Sequence, residues 1–150
     1  MKSHLERHPE AMLDYQKALD LNPQSKYLLL NMGFTHTLSG QFEEAVRCFD
    51  QALAIDAVCS YSYSGRGLAK AHLGDVSGGW ADIQHAEALD SVEGGYVYVH
   101  IGRFYLLTGD LTQARHYLQK AREINPHLYN IENLLQQIHK PELPDQEKQG

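Results

Sequence analysis

The sequence predicts an all-α fold, a row of helix pairs repeated along the chain. Three observations carry that reading. Within Lys26–Cys59, two helical patterns meet at a Ser39-Gly40 break. The second of them places Ala45, Phe49 and Ala52 on one face, a small–large–small pattern at helical spacing. The whole block then recurs: Gly67 follows Gly33 by 34 residues and Gly102 follows Gly67 by 35, and the turn glycines Gly40, Gly74 and Gly109 keep the same intervals. A period of that length is the mark of a helical repeat array.

The elements follow in order. Residues Pro9–Pro23 reproduce only the second helix of a block, with Ala11, Tyr15, Ala18 and Pro23 in register, so they form a half-repeat over 9–23. Pro9 suits the first turn of that helix, where its missing N–H costs little. Met1–His8 is too short for a first helix. The expectation is a chain cut from a longer protein, an unusual N-terminal end being the alternative. Three full blocks span 26–59, 60–93 and 95–128, with one extra residue in the Ser91–Gly94 linker. Each block holds a first helix up to its glycine turn and a second helix beyond it. Asp75 and Asp110 are suited to cap second helices, Gln41 less so. Gly33, Gly67 and Gly102, with Ala45, Gly79 and Ala114, mark where the two helices of a block approach closely. Phe49, Ile83 and Leu118 then fill the space between them. Trp80, the single Trp, is expected to pack on Tyr96–Phe104 and offset the helix-weakening Gly78-Gly79 pair. Leu128–Lys140 reads as a closing helix, with Ile131, Leu134, Leu135 and Ile138 inward and Asn130, Gln136, Gln137 and Lys140 outward. Residues 1–140 are thus read as one domain, and 141–150, polar and Pro-containing, as a disordered tail.

Composition excludes several classes. The net charge of −6 offers no basic stripe for nucleic acid and none for anionic lipid. No apolar run approaches the roughly 18–20 residues of a membrane span. Two cysteines, Cys48 and Cys59, without a secretory signal at the N-terminus point to a reducing compartment, the cytoplasm, and to inert thiols rather than a disulfide. His4 and His8 stand four apart, but no carboxylate or Cys accompanies them at ligand spacing, so no metal is expected. No nucleophile elbow, phosphate loop or carboxylate pair appears. Gly65-Arg66-Gly67 falls inside a helix, not in a phosphate loop. The chain is read as a non-enzyme without cofactor.

Taken together these residues resemble the tetratricopeptide repeat family. Block 95–128 matches its pattern best, through Tyr98, Ile101-Gly102, Tyr105, Gly109-Asp110, Ala114, Leu118, Ala121 and Pro126. Block 26–59 matches through Leu29, Met32-Gly33, Gly40, Ala45, Phe49 and Ala52. Block 60–93 departs most, with Gly79, Ile83 and Ser91 in place of Ala, Phe and Pro. The resemblance implies a right-handed α-solenoid of stacked antiparallel helix pairs, with three full repeats, the N-terminal half-repeat and the C-terminal capping helix. First helices would line a concave groove and second helices the outer wall. The family's usual work is to bind a peptide or helix of another protein.

The family's groove-facing positions fall here on Tyr27, Tyr61 and Tyr96; on Leu30, Ser64 and Val99; on Asn31, Gly65 and His100; and on Phe34, Leu68 and Arg103. The next positions along are Thr37-Leu38, Ala71-His72 and Leu106-Leu107. The helix Tyr27–Leu38 is apolar on two faces. Leu29, Met32, Gly33 and His36 should pack on its own second helix, while Tyr27, Leu30 and Phe34 form a second stripe that needs a cover. The expectation is an aromatic-lined groove for an apolar or amphipathic segment of a protein or peptide partner. Asn31 and His100 would bond its backbone, and Arg103 would meet a carboxylate. Against this stands a bland reading, in which the three tyrosines form an internal ladder that only stiffens the array. A subgroup of the family grips acidic C-terminal tails with a Lys/Asn/Arg clamp. Its positions are Leu30, Phe34, Gly65, Tyr96 and His100 here, so that clamp is not expected. Two further readings stay open. Met12, Tyr15 and Leu19, left without a partner helix, could pair with a second copy as a dimer or end-to-end stack. The chain could also be a regulatory module of a larger protein.

Overall fold

The computed structural model describes residues 4–89 and 95–139, with side chains from 9 to 89 and 95 to 138. Those residues form eight α-helices and no strand: α1 (His4–Leu21), α2 (Lys26–Leu38), α3 (Phe42–Ile55), α4 (Ser60–His72), α5 (Val76–Leu89), α6 (Tyr96–Thr108), α7 (Leu111–Ile124) and α8 (Ile131–His139). The Ser91–Gly94 linker, Lys140 and the tail 141–150 lie outside the described residues.

The helices pack as pairs, α2 on α3, α4 on α5 and α6 on α7, and the first helices α2, α4 and α6 also pack side by side. Local chemistry starts and stops them where the sequence reading placed the breaks. Asp110 Oδ1 accepts the Gln113 N–H at 3.1 Å and Asp75 Oδ1 accepts the Gly78 N–H at 2.9 Å, so both carboxylates cap their helices. Gln41 makes no such cap; its side chain turns back to His36 Nδ1 at 2.8 Å. Gly40, Gly74 and Gly109 take the left-handed backbone that the turns between paired helices require.

The core follows the small–large–small pattern. Phe49, Ile83 and Leu118 are fully buried, as are Ala45, Ala52, Ala114 and Ala121. Phe49 fills the room left by two glycines: a Cβ built on Gly33 would stand 2.7 Å from its ring, and one on Gly65 2.5 Å. One aromatic plug therefore ties α3 to its own first helix and to that of the next repeat. In the second repeat the backbones themselves meet. A Cβ on Gly79 would lie 2.6 Å from the Gly67 carbonyl oxygen, which is why glycine rather than alanine occupies that position.

Both ends differ from the expectation. α1 runs from His4, so Pro9 sits inside the helix and not in its first turn. α1 packs on α2; Met12, Tyr15 and Leu19 are half-buried, and Leu19 joins the cluster of Leu29, Leu30 and Phe49. The α1 face is therefore partly covered by the chain itself, which removes the reason for calling these three side chains partnerless. At the other end α8 begins at Ile131, three residues later than expected, because Asn130 turns the chain with a φ of 65°. Leu128, Ile131, Leu134, Leu135 and Ile138 seal the last repeat. Trp80 packs on Phe104 and Tyr105, with ring centroids at 5.9 and 5.7 Å, while remaining 41% exposed.

Candidate functional site

The concave side of α2, α4 and α6 holds a cavity of about 760 Å³. Six of the expected groove residues line it: Tyr27, Leu30, Asn31, Phe34, Tyr61 and Tyr96. The helix period explains the grouping. Tyr27, Leu30, Asn31 and Phe34 fall at three- and four-residue steps on one side of α2, and Tyr61 and Tyr96 begin the next two first helices at the same height. Phe34 meets Tyr96 edge-on at 5.5 Å, Tyr96 approaches Tyr61 at 6.3 Å, and Tyr61 reaches Phe49 at 6.2 Å. This aromatic path ties the cavity wall to the core. Tyr27 takes no part in it. Its ring is 71% exposed at the rim, with the Lys26 ammonium 5.2 Å above it. So a ladder exists between Tyr61 and Tyr96, while the third tyrosine stands free in solvent.

Val58, Cys59, Leu89 and Val97 complete the apolar lining, and sequence reasoning missed them. They lie at helix ends and in the turn before α4, where helical periodicity gives no facing. Lys26 and Asp56 close one edge with a 2.8 Å ion pair. The hydrogen bond from Lys26 and a second from the Val58 N–H hold the Asp56 carboxyl below its usual range, and the bond to Asp56 raises Lys26 in turn. That cation is thus already paired.

Five expected groove residues are buried: Leu30, which still lines the cavity, and Ser64, Leu68, Val99 and His100, which lie outside it. Ser64 Oγ and His100 Nδ1 lie 3.1 Å apart, joining α4 to α6, and the Tyr61 ring stands edge-on to the imidazole at 4.8 Å. The cause is the close seam between these first helices, which covers positions that a more open stack would leave exposed. Burial, reinforced by the nearby Arg103 charge, drives the His100 proton affinity down to about 3, so the ring is neutral. His100 braces the wall and is not free to bond a peptide backbone. Burial also pushes the Tyr61 phenol above its ordinary range.

Arg103, the eleventh expected residue, belongs to a second cavity of about 540 Å³ at the other ends of the same helices. Thr37, Leu38, His72, Leu106 and Leu107 line it from the first helices, and Tyr129, Asn130 and Gln137 from the closing segment. Asn130 and Gln137, expected on the polar exterior, therefore face a cavity. His72 stacks flat on Phe42 at 4.2 Å, and burial and then Arg103 lower its proton affinity.

Elsewhere the chemistry is sparse. Cys48 and Cys59 are free and buried, and burial pushes the Cys48 thiol up to about 11. Among the described residues no group of three or more His, Cys, Asp or Glu is placed to hold a metal, and no helix is long and apolar enough to cross a membrane.

Two family models, each described as tetratricopeptide repeat, match residues 5–66 and 96–128. No curated protein matches the chain. Among solved structures, the chain is similar to the first TPR of Spaghetti (RPAP3) bound to the HSP90 peptide SRMEEVD. Identity is 20%, coverage 78% of this chain and 94% of that one, and the TM-score 0.60. It is similar to TTC0263, a thermophilic TPR protein in Thermus thermophilus, at 17% identity, with 85% and 70% covered and a TM-score of 0.62. It is also similar to YrrB, described as a TPR protein with an unusual peptide-binding site, at 19% identity, 83% and 63% coverage and a TM-score of 0.54.

Proposed function

The chain belongs to the tetratricopeptide repeat family, and from that premise we propose that it is a non-enzymatic interaction module whose concave face binds a segment of another protein. The carrying observation is the cavity between α2, α4 and α6, walled by half-buried Phe34, Tyr61 and Tyr96 and rimmed by the exposed ring of Tyr27. Covering apolar surface stabilises by roughly 25 cal/mol per Å², and aromatic side chains dominate such contacts. The segment is apolar or amphipathic, and Asn31, exposed on the same wall, bonds its backbone. The relative with the HSP90 peptide and the one with an unusual peptide-binding site lend support by analogy of fold. An acidic tail gripped by a Lys/Asn/Arg clamp does not suit this wall, since Leu30, Phe34, Gly65, Tyr96 and His100 stand at those places. The two buried free thiols suit a reducing compartment, in our reading the cytoplasm.

The test is a peptide-phage selection on the full chain, repeated on the Tyr27→Ala/Phe34→Ser variant. Selected peptides should bind the parent and lose at least tenfold in affinity on the variant. Equal affinity for a variant whose circular dichroism and melting show it folded would overturn the groove reading.

A further inference from the structure

The second cavity carries an inference that rests on the groove reading above. Its lining contains one formal charge, Arg103, and no acidic residue: Thr37, Leu38, Phe42, Leu106, Leu107 and Leu134 are apolar or neutral, and His72, Tyr129, Asn130 and Gln137 supply polar edges. The other cations beside the concave face or nearby on α4 are spent. Lys26 is paired with Asp56, Arg66 with Asp50 and Asp82, and Lys70 with Asp82. Arg103 is half-buried, and among the described residues no carboxylate forms an ion pair with it. A guanidinium drawn out of water without a counter-charge is costly, and a planar fork of donors matches a carboxylate best. Burial first, and the Arg103 charge second, lower both His72 and His100, so these rings add no charge and Arg103 alone gives the lining its positive sign.

The distance between the two cavities is set by helix geometry. Tyr96, in the first cavity, and Arg103, in the second, lie seven residues apart on α6, about 10 Å along the axis. We propose that the second cavity takes a carboxylate of the same partner segment, held by Arg103, about three residues along an extended chain from the apolar side chain seated by Tyr27, Phe34 and Tyr96. This site lies one face-turn beyond the clamp positions Phe34 and His100 and draws on the α7–α8 segment.

The probes are acetyl-Ser-Phe-Ser-Ser-Asp-Ser-amide, its reverse-order counterpart, and both with Asn in place of Asp. A fifth, acetyl-Ser-Phe-Ser-Ser with a free C-terminus, separates a terminal carboxylate from a side-chain one. Affinities for the full chain are read by NMR titration. At least one carboxylate peptide should bind fivefold or more tighter than its neutral partner, and Arg103→Gln should bring that ratio to about one. If Arg103→Gln does not fold, Arg103→Lys, which keeps charge but loses the fork, should at least halve the ratio. A ratio of one in the parent, or a ratio that survives these substitutions, overturns the carboxylate site while leaving the groove reading standing. Absence of binding by all five overturns both. The chain's own acidic residues Glu142, Asp145 and Glu147 are the rival occupant. If neutralising them in the full chain raised peptide affinity tenfold, the site would belong to them and the proposal would fall.

Discussion

Phe34 of the first repeat touches Tyr96 of the third, edge-on at 5.5 Å with the rings at 67°. Two repeats that are not neighbours in the chain thus meet across the concave face, and Tyr61 of the repeat between them completes the aromatic set. The contact joins two of the side chains that line the cavity. It also couples the curvature of the array to the wall of the site. A double-mutant cycle with Phe34→Leu and Tyr96→Leu, followed by urea denaturation, should return a coupling of about 0.5–1.5 kcal/mol. Additive losses would mean that the two rings are only adjacent.

Gly79 and Gly67 set how closely α4 and α5 approach. Alanine is the better helix former by about 1 kcal/mol, yet its Cβ at position 79 would stand 2.6 Å from the Gly67 carbonyl oxygen, a backbone atom with no freedom to yield. Gly79→Ala should therefore destabilise by about 1–3 kcal/mol, the cost of overpacking exceeding the gain in propensity. A rise in melting temperature would contradict the close approach.

The repeat phase was legible in the sequence because close approach leaves a periodic trace. Gly33, Gly67, Gly79 and Gly102 leave no room for a Cβ, Ala45 and Ala114 are fully buried, and one large side chain per block must fill the gap beside them. The site was legible only in part. A first helix touches its own second helix and its neighbouring first helices, so periodicity cannot say which of two apolar faces remains open. Tyr27 and Phe34 stay open, while Leu68, Val99 and the Ser64–His100 pair close into the α4–α6 seam. Asn130 was misread for another reason: a single left-handed residue redirects the chain, and no helical period extends across it.

Asp82 of α5 anchors a network that reaches α3 only through Arg66 of α4. It accepts the Arg66 Nε and the second guanidinium nitrogen at 2.9 and 2.8 Å and meets Lys70 at 3.2 Å, while Arg66 also donates to Asp50 on α3. Asp82 is buried and the arginine only partly so. Hydrogen bonds to charged groups contribute about 1.5–3 kcal/mol each, less where water reaches them. Asp82→Ala should lower stability by about 1–3 kcal/mol, and Asp50→Ala, at the exposed end of the network, by under about 1 kcal/mol. Equal losses in thermal melts would show that burial does not separate the two.

His100 makes the fold sensitive to acid. In the unfolded chain its imidazole takes a proton near pH 6.5; in the folded chain burial and then Arg103 hold that event down to about 3. Below about 6.5 the unfolded state therefore binds a proton that the native state refuses, and stability falls as the pH falls. At about 1.4 kcal/mol per pH unit, the loss between pH 6.5 and pH 5 approaches about 2 kcal/mol and ceases near pH 3. His72 is shifted in the same direction by burial and Arg103 and adds to the slope. Above pH 7 both rings are neutral in either state and contribute no pH dependence. His100→Gln can keep a hydrogen bond to Ser64 but cannot titrate. Its chemical-denaturation free energy should be less steep between pH 7 and pH 5 by about 1–2 kcal/mol overall, the residual slope belonging to His72. A variant as acid-sensitive as the parent would mean that the imidazole gains access to water, and that the Ser64–His100 seam opens in solution.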